Sequence, residues 1–482
     1  MTRAALPAKL LALVVALAVA GCAGTADRSP PESAVAPAWL APLPHGGRAG
    51  ELRRWWAQFD DPLLARLIDA AESVSPTIAS AGARIAEARA RVAAAGAAQL
   101  PSLDASASIG RGRQDVTLPS GTSQGIGAQT SWELDLFGRT RAARTAADAR
   151  AAGAEASWHD ARVAVAAETA TQYIGLRACE ALLAQARLDA ASRAETARLT
   201  ELSMQGGFES RANAALARAS AAQGLLGTKQ QVEQCEQDVK ALVALTGLAE
   251  PALREALAAA PARLPEPAPL EVPAVPASAL AQRPDVFARA RDVVAASADI
   301  AETRAEQFPR VTLAGSIGAA RFESGFGSVS GTTWSIGPVS VGLPLFDAGA
   351  RRANVVAARA RYDEAASAYA ATLRNAIRDV ENALIALQGT ADRAGDAQAA
   401  AENFAASYRA TEARYKSGFG TLFELEDARR SALAAQNTLI DLQRERVAAW
   451  ISLYRALGGG WSAVADERTA ATSVSSPPPP SP

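Results

Sequence analysis

The sequence predicts an α+β membrane protein built from a duplicated unit of helix, two strands and a long helical hairpin. Three observations predict it. Residues 76–110 reappear as residues 284–318: Pro76 answers to Pro284, Pro101 to Pro309, and Ser108-Ile109-Gly110 to Ser316-Ile317-Gly318, an offset of 208. Leu134 then answers to Leu343 and Gly207 to Gly418, so the offset drifts only to 211. Each copy carries a pair of segments alternating between apolar and polar residues. Each then enters a proline-free run too long for the interior of a globule. Two repeats are too few for a solenoid, which leaves an internal duplication around a pseudo-symmetric body.

The N-terminus comes first. Arg3 and Lys9 precede an apolar run from Leu10 to Ala20, about eleven residues, short of the roughly 20 that span a bilayer. The run ends in Val19-Ala20-Gly21-Cys22, which resembles a bacterial lipobox. Residues 1–21 then read as a lipoprotein signal peptide and Cys22 as the acylated N-terminus of the mature chain. Ala23 stands where an inner-membrane retention Asp would be, so sorting to the outer membrane is expected. Acyl chains contribute about 0.8 kcal/mol per buried CH₂. Residues 22–50, rich in Pro, Ala and Gly, read as a tether.

In repeat one, residues 51–250, strands are expected at about 101–113 and 124–137. Leu103, Ala105, Ala107 and Ile109 face one way in the first; Ile126, Ala128, Trp132, Leu134 and Leu136 share a face in the second. Such period-two alternation marks strands with unlike faces. In repeat two, residues 276–461, strands are expected at about 308–320 and 333–346, with a loop from Ala320 to Thr332. Parity slips between Ile336 and Val339, and Gly337-Pro338 is where a bulge absorbs it. Two amphipathic hairpins suit a soluble domain, and segments of about ten alternating residues also suit a membrane barrel. The lipid anchor favours the membrane. A barrel must close, because unpaired edges in lipid cost several kcal/mol per group. Four strands per chain cannot close one, so several chains must contribute. Eight strands would be filled by side chains; twelve would leave a passage.

Residues 140–203 and about 350–416 are helix formers throughout, roughly 95–100 Å each at 1.5 Å per residue. Leu373, Ile377, Val380, Leu384 and Leu387 follow 4-3-4-3 spacing, a coiled-coil seam. Gly206-Gly207-Phe208 and Gly418-Phe419-Gly420 interrupt the helical patterns as tip turns, glycine supplying the left-handed backbone a tight turn needs. The two turns are expected to lie together. Cys179 and Cys235 each lie 28 residues from Gly207, hence level with one another on antiparallel helices. A disulfide in an oxidising compartment and two small residues in a packed seam both fit that placement.

A proline cluster assigns residues 251–275 to an equatorial connection, and the Ser/Pro end makes 462–482 a disordered tail. The net charge of −1 gives no electrostatic case for nucleic acid. His45 and His159 are isolated from partners at ligand or triad spacing, and the cysteines form no short metal motif. No nucleophile–base pair or phosphate loop occurs. The expectation is a non-enzyme with no cofactor or metal beyond the covalent lipid on Cys22. Trp55-Trp56 reads as a packing anchor.

Taken in order, Trp55-Trp56 with Phe59-Asp60-Asp61-Pro62-Leu63, Gln99-Leu100-Pro101-Ser102-Leu103, Glu133-Leu134-Asp135-Leu136-Phe137-Gly138, Arg283-Pro284-Asp285, Pro344-Leu345-Phe346-Asp347 and Tyr454-Arg455-Ala456-Leu457-Gly458-Gly459-Gly460-Trp461 resemble the landmarks of the TolC-like outer-membrane efflux channels, in their NodT-type lipoprotein branch. The resemblance covers about Cys22 to Trp461. It implies a homotrimer, with a 12-stranded β-barrel in outer-membrane lipid continuing into a 12-helix periplasmic α-barrel. It also implies docking on a periplasmic adaptor protein and an inner-membrane efflux pump.

The resemblance places Phe423, Glu424 and Asp427 at the periplasmic aperture, where threefold repetition would gather carboxylates near one axis. Asn213 departs from the Asp that relatives often show at the first turn. The competing expectation, from another class, is a periplasmic coiled-coil adaptor or scaffold lipoprotein. A secreted hydrolase would need a catalytic cluster that the sequence does not offer.

Overall fold

The computed structural model describes residues 55, 56, 59–113, 120–259, 264, 265, 280 and 283–461. Cys22 and its signal peptide, the tether, His45 and the tail lie outside them. The elements in order are α1 (Pro62–Val74), α2 (Pro76–Ala97), β1 (Ser102–Gly112), β2 (Gly121–Leu134), α3 (Arg139–Gln205), α4 (Arg211–Thr246) and α5 (Glu250–Ala258), then α6 (Pro284–Ala305), β3 (Arg310–Ser324), β4 (Gly327–Gly342), α7 (Ala350–Lys416) and α8 (Leu422–Ala456). They form two compact units. One holds the described residues of 83–155 and 287–371, the other those of 55–82, 156–286 and 372–461.

The first unit contains an antiparallel sheet in the order β1-β2-β3-β4, so the two hairpins join along β2 and β3. The register puts Leu103, Ala105, Ala107 and Ile109 of β1, Ile126, Ala128, Trp132 and Leu134 of β2, and Val311, Leu313, Ile317 and Ala319 of β3 on one face. The expected bulge is where the parity demanded it. Leu313 pairs with Val339 but Gly315 with Ile336, so Gly337 and Pro338 together oppose Ala314. Gly337 takes φ +98°, and Pro338 has no N–H to give the ladder. The extra residue returns Trp334 and Ile336 to the face of Val339 and Val341.

Five strand boundaries differ from expectation. The second hairpin has no long loop over 320–332: β3 runs to Ser324, which pairs with Gly327 across Gly325-Phe326. Polar residues hid these strand ends, because Arg321, Glu323, Ser328 and Ser330 occupy the face that is apolar lower down. β2 begins earlier, at Gly121, for the same reason. Both β2 and β4 also stop short of the expected Phe137 and Phe346. Asp135 leaves the ladder and accepts from the N–H groups of Thr140 (3.2 Å) and Arg141 (2.9 Å), capping α3. Pro344 ends the other ladder for want of a donor, and Asp347 caps α7 through Gly349 (3.0 Å) and Arg351 (3.1 Å).

In the second unit, Pro62 starts α1 behind Asp61, whose Oδ1 accepts from Leu63 (3.0 Å) and Leu64 (3.2 Å). Leu63, Leu64, Leu67, Ile68 and Ala71 form its buried stripe. The other Asp61 oxygen accepts from the Tyr173 hydroxyl at 2.6 Å. Tyr173 in turn accepts from Arg177 Nε at 3.0 Å, and Arg177, fully buried, donates to Glu180 and to the Leu257 carbonyl. One chain of hydrogen bonds thus ties α1, α3 and α5. α5 itself departs from the expected proline-broken connection, because Pro251 occupies the first turn, where its missing N–H costs nothing.

Trp55 is completely buried against Phe59, Trp450 and Tyr454, which makes the tryptophan pair a packing anchor. Burial pushes the Tyr454 hydroxyl up to about 12. The seam of α7 is buried as its spacing required: Leu373, Val380, Leu384 and Leu387 are all below a tenth exposed, with Ile377 packed against them. Each such side chain contributes about 1.5–3 kcal/mol by leaving water. His159 packs beside Trp158 and Trp461. Cys179 and Cys235 are disulfide-bonded in this core, with Cα atoms 5.6 Å apart.

Candidate functional site

Two features distinguish this chain from an inert scaffold: the unlike faces of its sheet and the free ends of its hairpins. The apolar face is exposed across the width of the sheet; Leu103, Ile126, Ile317, Trp334, Ile336 and Val341 are each more than three-fifths exposed. Five paired rows, from Leu134–Val311–Val341 to Ala107–Ile126–Ala319, span roughly 25 Å, the height of a membrane barrel's apolar band. The opposite face is lined by Ser102, Ser106, Ser108, Gly125, Gln129, Thr312, Ser316 and Thr333, and suits water. Among the described residues no helix is long and apolar enough to cross a membrane.

The tip turns are built alike. Gly207 (φ +75°) and Gly418 (φ +79°) adopt the left-handed conformation. The Phe208 N–H donates to the Ser203 carbonyl at 2.9 Å, and the Phe419 N–H to the Arg414 carbonyl at 2.9 Å. This double-looped C-cap reverses the chain in a few residues. Ser210 caps α4 through Asn213 N–H at 3.0 Å, while Glu209 accepts from the Asn213 amide at 2.7 Å. Gly206 packs beside Phe208, and Gly420 is held against Tyr415, where a Cβ would meet its nitrogen at 3.1 Å. Phe208, Phe419 and Phe423 are 90%, 81% and 71% exposed.

Phe423, Glu424 and Asp427 fall together on the outward face of α8. Glu424 closes a capping box with Thr421, whose N–H donates to its carboxylate at 3.0 Å. That backbone hydrogen bond holds the Glu424 carboxyl below the ordinary carboxylate range. Asp427 accepts from Arg430 at 2.9 Å, both side chains open to solvent.

The opposite face of α8 carries residues that the sequence reading passed over. Leu422 and Leu425 are buried against Ala197 and Ala217 of the first hairpin. Beside them Glu426 accepts from Ser220 (2.7 Å) and Arg193 (3.2 Å), and pairs with Arg429. Arg429 reaches on to Thr196 (2.8 Å) and Ser192 (3.3 Å). Tyr408 meets Ser192 at 2.7 Å and Tyr415 meets Thr200 at 2.8 Å. The two hairpins are therefore laced together close to their turns. The available signal was Leu422-Leu425-Glu426-Arg429, an apolar stripe continued by an i,i+3 ion pair.

Comparison with known proteins agrees with this architecture. The sequence model described as outer membrane efflux protein matches residues 67–248 and 275–459. Outer membrane protein OprJ of Pseudomonas aeruginosa is 31% identical over 459 residues, covering 93% of this chain and 95% of OprJ. The toluene efflux pump outer membrane protein TtgI of Pseudomonas putida is 30% identical, covering 94% and 98%. Among solved structures, the outer-membrane channel OprN superposes with a TM-score of 0.78 at 27% identity, over 89% of this chain and 99% of that one. The Campylobacter jejuni CmeC channel, at 22% identity, 92% and 97% coverage and a TM-score of 0.81, shares the fold. With most of its length matched by one family, the chain belongs to the outer membrane efflux proteins.

Proposed function

We propose that this outer-membrane efflux channel subunit forms one third of a passive exit duct. In this reading three four-stranded sheets close a twelve-stranded barrel, and the hairpins of three copies line a periplasmic passage. The observation that carries it is a sheet with one apolar face and β1 and β4 as its outer strands. Each outer strand is paired on one side only within the chain, and unpaired peptide groups in lipid cost several kcal/mol apiece. Sister subunits supply the missing partners.

The hairpin ends meet a periplasmic adaptor and, through it, an inner-membrane pump that provides the energy. The relatives named for efflux pumps support that role. Exposed Phe208 and Phe419 give the ends an apolar surface for such a partner. Phe423, Glu424 and Asp427 line the narrowest point of the duct, and the lipid on Cys22 secures each N-terminus to the membrane.

Planar-bilayer recording and membrane extraction test this reading together. The duct gives discrete conductance steps, raised in Glu424→Ala/Asp427→Ala, and stays in carbonate-washed outer membrane after Cys22→Ala. A protein released from the membrane by that substitution, with no conductance, would be the scaffold lipoprotein instead.

A further inference from the structure

The apolar face of the sheet carries charged residues near the hairpin turns, and only there. Its last two rows read Ile109–Gln124–Arg321–Ser330 and Arg111–Thr122–Glu323–Ser328. The residues that should meet hydrocarbon give way to hydroxyls, an amide, the Glu323 carboxylate and two exposed guanidinium groups, at the end away from the strand–helix junctions. In an outer-membrane protein whose helices are periplasmic, that end meets the outer leaflet.

The opposite rim is built differently. The strands leave it through Leu136, Leu343 and Leu345, all exposed. Four arginines there meet carboxylates: Arg139 holds Glu133 by two hydrogen bonds, Arg310 approaches the same carboxylate at 3.5 Å, and Arg141 and Arg351 pair with Asp135 and Asp347. At the turn end, Arg321 has only Glu323, at 3.6 Å with both side chains more than half exposed, a pair of little strength in water. No described carboxylate pairs with Arg111.

Arg111 and Arg321 lie two strands and one two-residue step apart, roughly 12 Å between Cα atoms by strand spacing and rise. Guanidinium forks suit phosphate. The separation suits two phosphates at opposite ends of a disaccharide, whose acyl chains would lie down the apolar rows below.

We propose that Arg111 and Arg321, with Gln124 between them and Ser330 beyond Arg321 on β4, bind a diphosphorylated, multiply acylated glycolipid of the outer leaflet. The inference rests on the membrane-facing reading of the apolar sheet face. The site is lipid-specific: it needs both the anionic sugar and the chains.

Full-length protein in mild detergent, titrated with diphosphoryl lipid A, monophosphoryl lipid A and phosphatidylglycerol, tests it by native mass spectrometry. The parent binds diphosphoryl lipid A most tightly. Arg111→Gln/Arg321→Gln weakens that binding at least roughly tenfold, while Arg310→Gln at the other rim leaves it alone. Equal binding by the double variant, or phosphatidylglycerol binding as tightly as lipid A, overturns the site. Conductance and oligomer mass of the same samples report separately on the duct, so failure of the duct reading is distinguishable from failure of this one.

Discussion

Arg429 of the second hairpin donates to the Thr196 hydroxyl of the first at 2.8 Å, from a side chain only 3% exposed. It also pairs with Glu426, so one guanidinium both neutralises a carboxylate and holds two hairpins together. Its two terminal nitrogens are answered by Glu426, Thr196 and Ser192 while Nε finds no acceptor, so the ion pair and these hydroxyls offset the cost of burying the charge.

Arg429→Met should loosen the hairpin ends selectively. Glu426 would keep Arg193 and Ser220, which limits the expected loss to about 2–3 kcal/mol. Hydrogen exchange in 192–200 and 422–430 should quicken about 30-fold or more, with residues around Trp55 unaffected. Unchanged protection would show that the network contributes nothing to holding the ends.

Cys179 and Cys235 close a loop with a sequence separation of 56. On the chain-entropy account, removing that link costs about 4 kcal/mol. Cys179→Ala/Cys235→Ala, and the parent under reductant, should unfold at lower denaturant by matching amounts. Peptide mapping that found both thiols free would contradict the bonded state.

Alkaline pH should destabilise the second unit. Burial raises the Tyr454 hydroxyl to about 12, and burial together with the Asp61 hydrogen bond raises Tyr173 well above its ordinary value. The unfolded chain would ionise near the ordinary value of 10. The folded form therefore binds more protons above that pH, and its stability is full below 10 and falls as pH rises toward and beyond 12. Tyr454→Phe should flatten part of that fall, measured by denaturant midpoints between pH 8 and 12.

The unlike sheet faces can be separated by neighbours in sequence. Ile317→Arg puts a charge on the apolar face near mid-band, at a cost of about 2–4 kcal/mol in lipid. Ser316→Arg points to the polar face and should assemble, though with altered ion selectivity. Folding yield from outer membranes, with single-channel recording, checks both. Equal yields would mean that the face is not lipid-exposed.

Much of this was legible in the chain because its signals are local. Absence of proline and the Gly207 and Gly418 stops delimited α3 and α7, and alternation with one slip located the bulge at Gly337-Pro338. The turn ends of β2, β3 and β4 escaped because apolar alternation stops where Gln124, Arg321 and Ser330 occupy that face, although the backbone ladder continues. The lacing of Arg429, Glu426, Arg193 and Ser220 escaped for another reason: its partners lie more than 200 positions apart. Only the folded hairpins bring them into contact. Pro251 was misleading because the same residue breaks a helix interior and starts a helix.

In the proposed duct, one chain's sheet is completed only by copies of itself. Light scattering in mild detergent, on protein shown by conductance to be functional, measures it most directly. The expected result is the mass of three chains. A folded, bilayer-inserted single chain of one subunit's mass would contradict it.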